Sequence, residues 1–355
     1  MARRILLKNN GLSNSSNPPS GFTFLGLSSS NLSLLDQTGN LTSGGGGSGF
    51  CESNNYVSPS SIYANAKGGC SNSITESACN STIIGGYTNN IINSGSSTIL
   101  GGCNNVVGYS GYCLWQSSIL GGASNTIVDA SYSSIVAGRY HYEYASAYVS
   151  IIGGRSNYVG QAKGSTILGS KYSDIVGNVY MYGDNNSSIL GGCNNYIGGS
   201  GTFSTGYNSI IGGQSNVMYC QTNSSIIGGF RNYQCYGGSS NAIIGSCCSK
   251  INNTIYSSIL SSYYSAINNS YHSNITAGRY NYINFSSNKS AILAGYFNSI
   301  SYSYYSTVIG GRKNSINAIY NSNSSSVVTS GISIISDSCY STIIGSCGRK
   351  YNKFW

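Results

Sequence analysis

Ten side chains could exchange a proton near neutrality as carboxylic acids or imidazoles: Asp36, Glu52, Glu76, Asp129, Glu143, Asp174, Asp184, Asp337, His141 and His272. Spread over 355 residues, that is a thin supply. Glycan hydrolysis needs two carboxylates about 5–10 Å apart, one holding a proton and one ionised. Only His141 and Glu143 bring an acid and an imidazole close together in sequence. They are expected to lie in a stretch whose second strand turns outward to solvent, with no catalytic role. The 12 cysteines are even in number, but five of them (Cys70, Cys103, Cys193, Cys247 and Cys347) fall at one position of the repeat set out below. Two repeats apart, Cys70 and Cys103 would be about 9–10 Å from each other, beyond disulfide reach. They read as small, buried apolar residues of a reduced chain. Zinc-type Cys-x-x-Cys pairs are absent, and the vicinal Cys247-Cys248 is not a substitute for them. The expectation is therefore no catalytic residue, no metal, no cofactor and no enzyme.

The elements that would carry these residues are set by a repeat. Counting from the first Gly of a recurrent Gly-Gly pair, or its substitute, as position 0 gives 68, 85, 101, 121, 137, 153, 169, 191, 212, 228, 245, 261, 277, 294, 310, 329 and 345. Nine of the sixteen intervals are 16 residues and three are 17. The longer intervals, after 101, 169, 191 and 310, read as loop insertions. A fixed period of this length means a solenoid with its insertions along one edge. Position −2 is aliphatic throughout, as at Ile83, Ile99, Ile119, Ile151, Ile189 and Ile226; position +6 is too, broken only by Glu143, Gln234 and Tyr351. Two strands of four to six residues fit such a period and a useful helix does not. The sequence thus predicts an all-β, parallel β-solenoid of about 17 coils.

Position −1 is apolar as well: Ile84, Leu100, Leu120, Ile152, Leu190 and Ile227 all stand there. Adjacent strand residues point to opposite faces, so this second column belongs outside. A stripe of Ile, Leu and Val running roughly 70 Å, at about 4.8 Å per coil, is too large to leave in water. A second copy of the chain covers it most simply, and three-fold symmetry is the expected closure. Position +4 carries Asn89, Asn105, Asn125, Asn157, Asn195 and Asn216; Asn tolerates the left-handed region, bonds its own turn, and can pair from coil to coil. Position +2 mixes Cys with cations and rings, among them Arg139, Arg155, Lys171, Arg279, Arg312, Tyr87, Tyr263 and Tyr296. Arg beside Tyr on an exposed ridge suits stacking and hydrogen bonding to acidic or neutral glycans, although ordinary solvated surface explains the same residues.

The recurring Ser-x-Ile-Gly-Gly-x-x-Asn-x-Ile, over residues 60 to 351, resembles the head repeats of YadA-like trimeric autotransporter adhesins. The resemblance implies a left-handed β-roll with three chains packed about one axis. Those adhesins carry a signal peptide, a coiled-coil stalk and a membrane barrel. Here "MARRILLKNN" offers three apolar residues before Lys8, short of a secretory signal, and the repeat is followed only by Trp355 and its neighbours. A bacterial surface adhesin is accordingly the lesser expectation.

Residues 1–42 are non-repetitive, with strand-like "FTFLGL" and "LSLLD" and a turn at Thr38-Gly39-Asn40; a Gly/Ser linker follows at 43–49, and the repetitive part runs from 50 to 355. The amino-terminal segment resembles the attachment end of bacteriophage fibre proteins. Net charge is +9, from 17 basic against 8 acidic residues, with no Lys/Arg run of the kind that binds nucleic acid and no apolar stretch long enough to span a membrane. The wealth of Ile and the 32 Tyr argue against disorder, which so much Ser, Gly and Asn would otherwise suggest.

Taken together, these features lead to a virion structural fibre or spike. It would be a homotrimer made in the host cytoplasm, fixed to a capsid or tail protein through residues 1–48, with host-surface glycan as its outward partner. The insertions around 108–116, 177–187, 198–207 and 317–325 are the expected contact loops. A polysaccharide-degrading tail spike and an ice- or mineral-binding solenoid, the latter prompted by Thr82, Thr98, Ser118, Ser134, Ser150, Thr166 and Ser188, are the alternatives.

Overall fold

A computed structural model describes residues 54–352, except 109–113, 178–185, 200–205, 329–330, 339 and 346, together with the backbone of four strands before residue 44. The chain forms two compact units, Met1–Phe50 and Cys51–Trp355. In the first, strands Ile5–Lys8, Thr23–Ser28, Asn31–Leu35 and Leu41–Ser43 make one sheet in chain order. The first pair is parallel and the other two are antiparallel. Two of these strands coincide with the expected ones. Ile5–Lys8 and Leu41–Ser43 were not anticipated, because "ILLK" and "LTS" are too short to show alternation. Thr38-Gly39-Asn40 and the Gly/Ser stretch from 44 onward lie outside the described residues.

The second unit is a parallel β-solenoid, with no helix among its described residues. One sheet, sheet 1, stacks seventeen three-residue strands from Asn65–Lys67 to Thr342–Ile344; sheet 2 stacks eighteen, from Tyr56–Val57 to Arg349–Asn352. Pairing is in strict register: Thr82, Ile83 and Ile84 face Thr98, Ile99 and Leu100, which face Ser118, Ile119 and Leu120. Identical positions therefore stack into columns one strand spacing apart, about 4.8 Å.

Alternation along each short strand sorts the columns. Ile83, Ile99, Ile119, Ile151, Ile189 and Ile226 point inward and are fully buried, as are Ile91, Ile127 and Ile197 from sheet 2. Each such side chain contributes about 1.5–3 kcal/mol by leaving water. A single coil supplies only two of them, so it holds its shape only with neighbours above and below.

Two corners join the sheets, and both are built on left-handed backbone. At the first, Gly85 and Gly86 have φ of 69° and 83°, and Thr88 has 55°. The two glycines are needed for different reasons. A Cβ on Gly85 or Gly101 would meet nothing, and Ala137, Ala277 and Ala294 occupy the same position with φ near 60°. A Cβ on Gly102 would lie 2.3 Å from the Gly122 carbonyl oxygen and 2.4 Å from Asn105 Nδ2.

The Asn column closes this corner, though not through the left-handed region: the left-handed residue is its predecessor, such as Thr88, Asn104 or Ser124. Asn89, Asn105, Asn125, Asn157, Asn195 and Asn216 are all buried. Each Oδ1 accepts the backbone N–H of the residue one coil on, as from Asn89 to Asn72 (3.0 Å) and from Asn105 to Asn89 (3.1 Å). The amide nitrogens donate to carbonyls of the Gly-Gly turn or its substitute, Asn89 to Gly102 at 3.2 Å and Asn157 to Ser170 at 2.8 Å. A second ladder, which the sequence reading missed, runs through buried Ser at position −4: the Ser97 N–H donates to Ser81 Oγ (3.1 Å) and the Ser273 N–H to Ser257 Oγ (3.2 Å).

The expected loop at 317–325 is largely strand. Ser315–Asn323 is continuous, and Ser322 and Asn323 pair with Ser303 and Tyr304 past a bulge, so backbone bonding to the preceding coil absorbs the insertion. The other three insertions lie mostly outside the described residues.

The two glycine requirements separate by mutation. Gly101→Ala should cost about 1–2 kcal/mol, the left-handed penalty alone. Gly102→Ala should cost clearly more, because it also pushes two coils apart; equal losses in urea unfolding would contradict this packing.

Candidate functional site

The acid and imidazole expected to face solvent are both inside. Glu143 occupies the inward column of sheet 2, paired between Ile127 and Val159, and is fully buried while Tyr142 and Tyr144 beside it are exposed. Register decides this. Turning Glu143 out would force two phenol rings into an interior one side chain deep. Neither carboxylate oxygen has a hydrogen-bond partner at bonding distance. Burial pushes the carboxyl up to about 8, offset in part by the nearby Ser133 hydroxyl, so the buried group is a neutral acid at pH 7. Gln234 fills the equivalent place between Met218 and Ile251 and donates to the Ser225 carbonyl at 2.9 Å.

His141 stands in for an Asn of the corner ladder. Its N–H donates to Asn125 Oδ1 (3.0 Å), and its Nδ1 accepts the Asn157 N–H (3.3 Å). That acceptor role places the proton on Nε2. Burial holds the imidazole below its ordinary value, against the opposing pull of the Gly154 and Gly153 carbonyls. Both groups are thus sealed from any substrate. Asp174 stands on the outer side of sheet 2 between Tyr158 and Tyr196, its carboxyl raised by burial. Among the described residues, no three His, Cys, Asp or Glu converge to hold a metal.

The thiols differ from expectation. Cys103, Cys193 and Cys247 are half-buried free thiols and Cys347 is exposed, because position +2 belongs to the corner and not to the interior. Cys247 Sγ lies 3.4 Å from Cys248 Sγ.

The remaining chemistry is on the outside, where the six expected contact residues divide into three places along one column. Tyr87 is exposed between Cys70 and Cys103. Arg139, Arg155 and Lys171 follow one another in successive coils, with Arg139 over the Tyr140 ring (5.1 Å) and Lys171 over Tyr172 (5.0 Å). Further along, Tyr263, Arg279, Tyr296 and Arg312 are also consecutive. The neighbouring +3 column adds Tyr264, Tyr280 and Phe297, stacked at 5.5 and 4.7 Å. This aromatic column was missed, although the same period applied one residue on would have found it.

An apolar column lies on the outer side of sheet 1. Ile84, Leu100, Leu120, Ile152, Leu190 and Ile227 are 38–51% exposed, while their inward neighbours are fully buried. The column extends through Leu293, Ile309 and Ile344. Beside it, Thr82, Thr98 and Ser118 are half-buried on the same outer face.

The chain matches no protein-family model, and no curated protein matches it either. Whatever can be read of its function comes from this geometry.

Titration of the interior gives a directional test. Because the folded carboxyl of Glu143 is raised from 4.5 to about 8, the stability from burying it uncharged is complete below about 4.5 and lost as pH climbs through 8. His141, lowered by burial, works oppositely and loses its contribution as pH falls below about 6.5. Glu143→Gln should leave stability near pH 5 almost unchanged and raise it by a few kcal/mol at pH 9. Unfolding curves with the same pH slope for both proteins would contradict a buried carboxyl.

Proposed function

We propose that the chain is a non-enzymatic structural fibre or spike of a virus particle, a homotrimer of left-handed β-rolls of the YadA-like kind. Residues 1–48 attach it to a capsid or tail protein, and the solenoid projects outward for decoration or contact with host-surface glycan. One observation carries this reading: the Ile/Leu/Val column on the outer face of sheet 1, which from Ile84 to Ile344 is broken only by Thr276. Exposed apolar patches of this extent mark interaction sites. A partner that matches a stripe repeating every coil must itself repeat every coil, and an identical chain does so without further specification. Closed rotational symmetry buries the stripe in all copies at once and leaves the ladder ends free. The low supply of charge supports the same reading, since 7% charged residues give little means of keeping an apolar face soluble.

The remaining surface is consistent with a passive role. The only acid and imidazole close in sequence, Glu143 and His141, are buried, so they offer no route to glycan hydrolysis. The shallow groove on sheet 2 formed by Val217, Tyr219, Tyr233, Cys235, Tyr236 and Lys250 carries no carboxylate. Contact with a cell surface would fall to the corners and outer faces, where Arg and Tyr are presented.

Sedimentation equilibrium tests the assembly. The expected species has three times the 37.2 kDa chain mass. The triple change Leu100→Lys, Leu120→Lys and Leu190→Lys should break it into monomers or insoluble material. A wild-type protein that is a folded, soluble monomer would defeat the proposal.

A further inference from the structure

At the first corner, over the coils counted from 261, 277, 294 and 310, positions +2 and +3 form a ridge with an internal rhythm. Position +2 reads Tyr263, Arg279, Tyr296, Arg312 in successive, backbone-paired coils, so ring and cation alternate. Rings are therefore two coils apart, and so are cations, about 9–10 Å in each case. The guanidinium carbon of Arg279 lies 4.6 Å from the Tyr263 ring centre and 5.0 Å from that of Tyr280; the one of Arg312 lies 5.7 Å from Tyr296. Tyr280 is stacked on Phe297, which fixes the platform beneath. Both arginines are exposed, and neither column contains an acidic residue at any coil.

An arginine held against rings keeps its planar fork ordered and so loses less freedom when it binds a carboxylate. Tyr296, half-buried between the two forks, leaves part of its ring as an apolar surface for an uncharged unit. The complementary ligand is a linear polymer with alternating anionic and neutral units, repeating every two coils. An extended disaccharide has about that length. We infer that the ridge Tyr263–Arg279–Tyr296–Arg312 binds an acidic polysaccharide in which a uronate alternates with a neutral sugar, lying along the solenoid axis. The net charge of +9 favours the approach of such a polyanion. The cations Arg139, Arg155 and Lys171 occupy every coil with no ring between them in their column, so they lack this rhythm and serve as the internal control. The inference rests on the glycan-contact part of the proposed function and names its site and ligand class.

Calorimetric titration of the full chain with hyaluronan octasaccharide tests it. Binding should be at least tenfold tighter than to carboxyl-reduced hyaluronan or to an oligogalacturonate of equal length, in which every sugar is charged. The double variant Arg279→Gln with Arg312→Gln should lose at least tenfold, and Arg279→Lys with Arg312→Lys should lose less. Arg139→Gln with Arg155→Gln, which removes the same charge from a column without the alternation, should lose clearly less than the Arg279/Arg312 glutamine pair. Far-UV circular dichroism of each variant confirms that the fold is retained. Absence of binding by the wild type, preference for the oligogalacturonate, or equal losses in the two glutamine variants would each overturn the inference. A trimer that ignores hyaluronan overturns the ridge and leaves the fibre intact; a monomer that binds it does the reverse.

Discussion

The whole solenoid depends on one constraint: each coil must sit in register on the next. Its interior is a single file of side chains from each sheet, so no coil has a core of its own. Backbone donors at the corners are buried and would cost about 1–3 kcal/mol each if left alone. They find their partners one coil away, in Asn Oδ1 at one corner and Ser Oγ at the other. A slip of one residue would break both ladders and turn every isoleucine outward. The repeat in the sequence is the covalent record of that requirement.

The corners show how the same stacking stabilises an unfavourable backbone. Left-handed conformation costs a side chain with a Cβ about 1–2 kcal/mol, yet Tyr, Phe and His recur there. Their rings stack on the equivalent ring of the next coil: Tyr132 on Tyr148 at 5.1 Å, Tyr256 against His272 at 5.0 Å, Phe285 on Tyr302 at 5.0 Å. Such contacts contribute about 0.5–1.5 kcal/mol beyond burial and offset much of the strain. The ridge between Tyr263 and Arg312 takes its spacing from the backbone pairing of successive coils.

The two outer faces differ in what they conserve from coil to coil within this one chain. Sheet 1 repeats an aliphatic residue at nearly every coil, while sheet 2 varies among Tyr142, Tyr158, Asp174, Tyr196, Val217 and Lys250. A repeated surface suits a repeated partner and a varied one suits solvent. The proposed trimer and the proposed glycan ridge thus use different columns of the same coil, and neither needs the buried acid or imidazole.

Much of this was legible in the sequence. The period, the two strands per coil, the inward column of Ile83 and Ile99 and the outward column of Ile84 and Leu100 all follow from spacing and alternation, because stacking copies one local pattern along the chain. Exceptions to the pattern were not legible. Glu143 looked like a residue that should face water, and its neighbours Tyr142 and Tyr144 decided otherwise once register was imposed. The thiols at position +2 looked buried by type, and the corner geometry left them partly exposed. Asn was matched to the left-handed region by its intrinsic tolerance, whereas the structure gives that conformation to the residue before it and uses the Asn amide to bridge coils. Intrinsic preference and period determined the fold; which way an atypical residue faces, and which rings meet which cations, depended on neighbours 16 residues away that only the stacked structure brings together.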